Sequence, residues 1–175
     1  MSTLHVENLK GPTSGANANK IIVPSGQTLY PAGHVIQVLT QEITAYSSTS
    51  STSAVATGFT LTITPKSTAS KIRCTVGICG MYAAAVASSA SFYLHKNGSF
   101  HKYLNAIAGH ASGSGQVHLG GDIIMQVTDS PSTTSAVTYA IFWKRNAGSG
   151  AVHFNNYATS NNETRSWYSV EEIAQ

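Results

Sequence analysis

The sequence predicts an all-β protein, an antiparallel jelly-roll sandwich preceded by a short extended appendage. Only 10% of the residues are charged, well below the usual quarter of a globular chain, which suits β-structure covered by Ser, Thr, Asn and Gly. From residue 34 onward, roughly nine or ten strand-like segments follow one another, many at the eight- to twelve-residue spacing of a sandwich. No segment has a convincing helical period.

The chain divides at residue 33. Residues 1–33 are rich in Asn, Gly, Ser and Pro and hold only short apolar pieces, at 4–6, 21–23 and 29–30. Strands this short make no core by themselves, so we expect an extended attachment segment that needs a partner, with a disordered tail as the alternative. Residues 34–175 form the jelly-roll domain.

The first strands follow in quick succession. The segment VIQVLT begins the domain, and a Ser/Thr loop at 47–53 separates it from a segment with strict alternation. There Phe59, Leu61 and Ile63 share one face and threonines share the other, as expected of a half-buried strand. After a turn at 65–70 the chain returns as a hairpin. The predicted strands here are 35–40 (extended by 42–46), 57–64 and 71–79.

The later strands are bounded by clear turn signals. Asn97-Gly98 is a strong hairpin turn between two short strands. The Ala-rich stretch 80–90 favours helix on propensity but lacks clean caps, and we interpret it as a strand end and a loop. The remaining predicted strands are 91–96, 99–104, 117–119, 122–128, 136–143, 151–154 and 166–174.

The most strand-like run follows a turn that begins at Asp129, whose carboxylate we expect to bond backbone amides. A bulky row alternates with a mixed row along this run, so both faces call for burial. An inner strand of a sandwich and a subunit contact both fit. The bulky row consists of Val137, Tyr139, Ile141 and Trp143, and the mixed row of Ala136, Thr138, Ala140 and Phe142.

The sequence carries no pattern typical of a catalytic or metal site. The seven acids form no evident pair, although Asp122 with Glu163 is open as a distant possibility for polysaccharide cleavage. No HxH or HxxxH occurs, although His95 and His101 flank one hairpin turn and three copies of one His could meet on an axis. No glycine-rich nucleotide motif is present. We therefore expect no enzyme, no metal and no cofactor.

Charge and cysteine usage narrow the partners further. The net charge of +3 includes no basic run, so we expect no nucleic-acid partner. Cys74 and Cys79 would lie ~16 Å apart on one strand, beyond disulfide reach, and we expect two buried apolar side chains. We see no signal peptide and no segment long enough to span a membrane, so we expect synthesis in a cytoplasm and no membrane insertion.

Three motifs carry a resemblance to a known family. The run DSPSTTSAVTYAIFWK (129–144), then AVHFNN (151–156) and the ending SVEEIAQ (169–175) resemble the C-terminal domain of tail-fibre-like proteins of marine tailed phages. FTLTITPKSTASKI (59–72) is similar to the first hairpin of that group. The opening of the chain, from residue 4 through residue 38, is similar to the segment that precedes that hairpin in the group. Thr128 stands where the group has Leu. The similarity covers nearly the whole chain, and SP-x-TTSAVTY is its specific part.

The resemblance implies a C1q/TNF-like jelly-roll homotrimer in a virion, without enzyme activity. We expect a tail-fibre or fibre-tip protein that adheres to the host surface; the alternative is a capsid decoration or head-fibre protein, which the short chain favours. Trimer-core candidates are Val137, Tyr139, Ile141, Trp143 and Trp167. Candidates for attachment to other virion proteins, within residues 1–33, are Leu4, Val6, Ile21, Ile22, Val23 and Leu29.

Polar loops with aromatic rings supply the candidates for contact with a host glycan or protein. Rings stack on sugar faces and amides bond hydroxyl groups, although Asn and Thr also simply make solvated turns. These candidates are Tyr82, His101, Tyr103, Asn105, His110, Asn155, Asn156, Tyr157, Asn161, Asn162 and Arg165.

Overall fold

The computed structural model describes residues 10–18, 20, 22, 25, 31–83, 88–108, 117–118, 122–155 and 165–175, with the backbone alone at 107–108 and 117–118. The chain forms two compact units, Met1–Pro31 and Ala32–Gln175. In the first unit a turn is closed by the Ala18 amide, which donates to the Gly15 carbonyl at 3.1 Å. Of the attachment candidates, Ile22 is 57% exposed. Leu4, Val6, Ile21, Val23 and Leu29 lie outside the described residues.

The described part of the second unit consists of β-strands joined by turns and loops. The long strands arise where apolar and polar residues alternate, and the short ones lie in the connections. They are β1 (Val35–Ile43), β2 (Ser47–Thr49), β3 (Val55–Ile63), β4 (Lys71–Ile78), β5 (Tyr82–Ala83), β6 (Ser89–Lys96), β7 (Ser99–Ala108), β8 (Val117–His118), β9 (Ile123–Asp129), β10 (Val137–Ala147), β11 (Val152–Phe154) and β12 (Ser166–Ile173).

Two four-stranded sheets carry the fold. Sheet I has the order β1-β12-β4-β9 and sheet II the order β3-β10-β6-β7, and every recorded strand pair is antiparallel. Among the eight long strands in chain order, sheet I holds the first, eighth, third and sixth, and sheet II the second, seventh, fourth and fifth. This is the order of a double-sheet jelly roll. The predicted antiparallel sandwich is confirmed.

A third sheet forms at one end of the sandwich from the connections themselves. Its order is β2-β11-β5-β8, so each of the four connections at that end contributes one strand of two or three residues. We call it the end sheet. Part of the predicted Ser/Thr loop, Ser47–Thr49, therefore lies in a strand, because β11 offers it a pairing partner.

Aromatic rings from both sheets fill the core. Trp143 packs against Phe92 at 6.0 Å between centroids and against Phe154 at 4.9 Å. Phe59 then contacts Phe154 and Tyr168 at 6.4 and 6.0 Å. All five rings are at most 1% exposed. Truncation of such a ring costs about 3–5 kcal/mol, so this chain of rings is a principal source of stability.

The bulky row of β10 belongs to this core, which corrects its assignment to a trimer core. These side chains contact their own chain and are at most 1% exposed, so a neighbouring subunit has no access to them. The fifth candidate, Trp167, is 38% exposed on sheet I. The residues now assigned to the core of the single chain are Val137, Tyr139, Ile141 and Trp143.

Side-chain amides close the side of the sandwich where edge strands β1 and β3 meet. Gln41 donates from Nε2 to the Gly58 carbonyl at 3.1 Å and accepts from the Thr60 amide at 2.8 Å. Gln37 donates to the Thr64 carbonyl at 2.8 Å. These two glutamines lie four positions apart on β1. Their side chains thus occupy backbone groups that an edge strand otherwise leaves open.

Candidate functional site

A buried carboxylate joins the two sheets at the side opposite the glutamines. Asp129, the last residue of β9 in sheet I, accepts hydrogen bonds from Lys96 Nζ at 2.7 Å, the Tyr139 hydroxyl at 2.6 Å and His101 Nε2 at 3.0 Å. These donors lie on β6, β10 and β7, all in sheet II. The expectation that Asp129 bonds the amides of its turn is wrong, because the hydrogen bonds to its oxygens come from these three side chains and from no turn amide among the described residues.

The surroundings of Asp129 keep it ionised. Burial by itself would raise the pKa of this carboxyl, but the hydrogen bonds from Lys96 and Tyr139 and the positive charges of Lys96 and His101 lower it below the ordinary value. Burial, followed by the nearby carboxylate, raises the pKa of Tyr139. The group is therefore a poor proton donor, and its geometry is that of a clamp. His101, a receptor-contact candidate, is one arm of it.

A stack of rings forms the centre of the end sheet. Tyr82 lies on His153 with 4.1 Å between centroids and an interplanar angle of 4°, and the Tyr46 hydroxyl is hydrogen-bonded to His153 Nδ1. Burial lowers the pKa of His153, which is 7% exposed. Among the described residues its Nε2 has no hydrogen-bond partner. Tyr82, another receptor-contact candidate, is only 8% exposed, so it serves this stack.

Asn155 is a structural residue, which corrects its assignment to receptor contact. Its φ of 55° lies in the left-handed region, where Asn is favoured over most residues. Its Nδ2 donates to the Ile43 and Ala45 carbonyls at 2.6 and 3.1 Å, and its Oδ1 accepts from Ser166 Oγ at 2.6 Å. The side chain is fully buried, so it has no group left for a ligand.

The remaining receptor-contact candidates do not form one cluster among the described residues. Tyr103 is 53% exposed, and Asn105 is exposed beside it on β7. Arg165 directly precedes β12 of the other sheet and lies 3.4 Å from Glu42. The other candidates, His110, Asn156, Tyr157, Asn161 and Asn162, lie outside the described residues.

The outer face of sheet II carries a continuous row of rings that sequence reasoning missed. His95 stacks on Phe142 at 3.8 Å, Phe100 meets His95 edge-on at 6.3 Å, and Tyr93 contacts Phe100 at 6.1 Å and Tyr103 at 5.6 Å. We call these five residues the aromatic strip. Residues 93 and 95 share one face of β6 by alternation, but bulges in the β6–β7 pairing decide which β7 residues join them, and sequence alternation does not reveal such bulges.

A groove continues the strip onto β3 and β10. It encloses about 330 Å³, and its walls are made mostly of small side chains. Phe142 belongs to both the strip and the groove. A register shift between Ala140 and Phe142 accompanies the groove, and Gly58 there has a φ of +98°, a conformation that favours glycine. The lining residues are Ala56, Gly58, Phe59, Thr60, Gly98, Thr138, Ala140 and Phe142.

The outer face of sheet I has a different character. Trp167 lies over Gly77, where an added Cβ would come within 2.4 Å of the indole Nε1, and Gly77 pairs across the sheet with Ile124. Ile124 is 67% exposed. Val38, which lies on β1 opposite Glu171, is 51% exposed. We call Trp167, Ile124 and Val38 the tryptophan face. The same outer face also carries charged residues: Arg73 forms an ion pair with Glu171, and Glu42, opposite Trp167, lies 3.4 Å from Arg165. Lys71 is exposed there and makes no ion pair among the described residues.

The described residues offer little reactive chemistry. No three of their His, Cys, Asp and Glu side chains form a group able to hold a metal ion. Burial raises the pKa of the Cys74 thiol to about 12 and that of Cys79 to about 11, so both are poor nucleophiles. Both thiols are free. Of the possible acid pair, Glu163 lies outside the described residues.

No helix that could cross a membrane occurs in the part of the chain that the structure describes. No protein-family model matches the chain, and no curated protein sequence matches it. Among solved structures, the chain is similar to a protein of "infectious bursal disease virus Gx strain", with 13% identity and a TM-score of 0.29. That alignment covers 87% of this chain and 42% of the viral one.

Removing the Tyr139 hydroxyl tests the clamp. We expect Tyr139→Phe to lower the free energy of unfolding by about 1.5–3 kcal/mol, because it removes a buried hydrogen bond to a charged group. Urea unfolding followed by tryptophan fluorescence measures the change. Tyr103→Phe, at an exposed ring, is the matched control and should cost less than about 0.5 kcal/mol. Equal effects would contradict the clamp.

Protonation of His153 should destabilise the fold in mild acid. Its folded pKa is below the unfolded value of about 6.5, so stability is lost as the pH falls from there through the folded pKa, by up to about 1.4 kcal/mol per pH unit. We expect His153→Phe, which retains a ring against Tyr82, to flatten the fall in Tm between pH 7.5 and 5. His34→Gln, at an exposed position, should not flatten it.

Proposed function

We propose that this chain is a structural protein of a virion, a homotrimeric tail-fibre or fibre-tip protein that adheres to the host cell surface. The virion context rests on the resemblance of residues 129–144 and of the chain end to phage tail-fibre-like proteins. The tryptophan face is the observation that carries the trimer. Jelly-roll strand order agrees with both parts of the proposal.

The tryptophan face has the composition of a subunit contact. Trp167 and Ile124 place exposed apolar area in one row across the sheet, with exposed Val38 further along the same face, and exposed apolar surface of this kind typically marks an interaction site when it is extensive. Arg73 and Glu171 form one ion pair on this face and Glu42 and Arg165 another, so Lys71 is the charge that would have to leave water without an ion-pair partner among the described residues. A closed symmetric assembly would cover the whole face in every copy.

Adhesion is proposed as binding without catalysis. The described thiols are poor nucleophiles, and the buried Asp129 is committed to three side-chain donors. Exposed rings, at Phe100 and Tyr103, lie instead on the outer surface of sheet II. This composition fits recognition of a surface molecule.

The alternative is a capsid decoration or head-fibre protein. Residues Met1–Pro31 form a compact unit of their own, which is the arrangement an anchoring segment would need. In this version residues 1–33 bind another virion protein and the jelly roll projects from the capsid. The tryptophan face would serve the same trimer in either location.

A charge on the tryptophan face tests the assembly. We expect wild-type protein to be a trimer and Ile124→Asp to be a folded monomer, because an aspartate there would be desolvated in the contact. Light scattering coupled to size-exclusion chromatography gives the mass, and circular dichroism reports the fold. Phe100→Asp is the matched control, since Phe100 is 63% exposed on the other sheet, and it should remain a trimer. A trimeric Ile124→Asp protein would reject this interface.

Localisation on the particle tests the function. We expect antibody against the jelly-roll domain to label the tail tip in electron micrographs and to slow adsorption to host cells. Label on the capsid would favour the decoration alternative, and unchanged adsorption of particles lacking the protein would reject adhesion.

A further inference from the structure

We propose that the outer face of sheet II, made of the aromatic strip and the adjoining groove, binds a saccharide that carries a carboxylate. The inference rests on the proposed adhesive function and names its ligand class and site. Ring geometry, groove shape and the distribution of charge support it in turn.

The aromatic strip offers apolar ring surface next to polar groups. It runs from Phe142 on β10 through His95 and Tyr93 on β6 to Phe100 and Tyr103 on β7. The faces of aromatic rings are electron-rich, and the C–H groups of a pyranose carry a slight positive charge, so sugars stack on such rings. Phe100 and Tyr103, the outermost rings, are 63% and 53% exposed. A linear saccharide therefore has a track across three strands.

The groove adjoins the track at Phe142. Its volume of about 330 Å³ is at the small end of the range found for ligand pockets. Phe142 provides its apolar wall, while Thr60 and Thr138 provide hydroxyl groups. Thr138 Oγ1 is 2.7 Å from Thr62 Oγ1, so one of this hydroxyl pair is held in position. Apolar walls with a few fixed polar groups are typical of small-ligand sites.

Charge selects an acidic sugar over a neutral one. The four strands of sheet II contain no Asp or Glu, whereas they contain Lys96, Lys102, Lys144 and Arg145. Lys96 bonds Asp129, and Lys102 donates to the Thr128 carbonyl. Arg145 donates to the Ser149 carbonyl.

Lys144 is the cation that remains for a ligand. Its Nζ lies 5.8 Å from the centroid of the Tyr93 ring, and it makes no ion pair within the described residues. It thus stands beside the aromatic strip without a carboxylate to neutralise it. A sugar carboxylate stacked on the strip would supply that partner.

Matched acidic and neutral sugars test the site. The purified protein is titrated with two matched pairs of sugars, followed by calorimetry and saturation-transfer NMR. The first pair is α-1,4-linked trigalacturonate and α-1,4-linked galactotriose, and the second is methyl glucuronide and methyl glucoside. The acidic member should bind about two- to fivefold more tightly, as one exposed ion pair allows, and the preference should shrink as salt rises. No binding of either acidic sugar, or equal binding of both members, would overturn the proposal.

Single substitutions locate the binding. Tyr103→Ala and Phe100→Ala should each weaken binding about tenfold, whereas Tyr103→Phe, which keeps the ring, should bind normally. Lys144→Gln should remove the preference for the acidic sugar, and Lys71→Gln, at an exposed cation of sheet I, should preserve it. If the alanine variants bind normally, or change the oligomeric state, the face is not a sugar site.

Failure of this inference is distinguishable from failure of the proposed function. Particles carrying the Tyr103→Ala protein should adsorb more slowly than wild type. If they adsorb normally while particles without the protein do not, adhesion stands and the assigned site is wrong. If particles without the protein adsorb normally although the sugar binds, the site stands and adhesion is wrong.

Discussion

One carboxylate fixes how the two sheets lie on each other. A buried charge is costly unless it is paired, so Asp129 on sheet I requires Lys96, His101 and Tyr139 from three strands of sheet II. Along β6 and β7 the residues next to two of these donors point outward, and they are His95 and Phe100. The clamp inside the sandwich therefore also sets the position of the aromatic strip outside it, which ties a core interaction to the surface we assign to binding.

The predictable part of the fold is the part governed by local rules. Alternation placed Phe59 and Ile63 correctly inside, and Asn97-Gly98 forms the predicted hairpin turn, with φ values of 49° and 82°. The strands of the end sheet have two or three residues, too few for any period, so they become visible only when four distant connections meet. Asn155 donates to two carbonyls that lie 112 and 110 positions away in the sequence. No local sequence pattern encodes contacts at such a distance.

The candidate site shows the same division between local and distant information. The sequence marked Tyr103 as a surface ring, and it is exposed, but His95 and Phe142 become neighbours only through the β6–β10 pairing. Likewise, alternation in β10 predicted two rows but could not decide which one meets the core. The two sheets end with unlike outer faces. One carries exposed apolar side chains among polar and charged ones, and the other carries the aromatic strip with Lys144, which makes no ion pair among the described residues.

The glutamine side chains that bond the exposed edge of β3 affect how copies of the protein can lie next to one another. A bare edge strand templates another strand, and proteins displayed side by side would then polymerise through their backbones. Here Gln41 occupies both the Gly58 carbonyl and the Thr60 amide, so a second chain finds no ladder to extend there. Along β3, contacts between copies are therefore left to side-chain surfaces, which can be complementary in one arrangement and stop at a finite number.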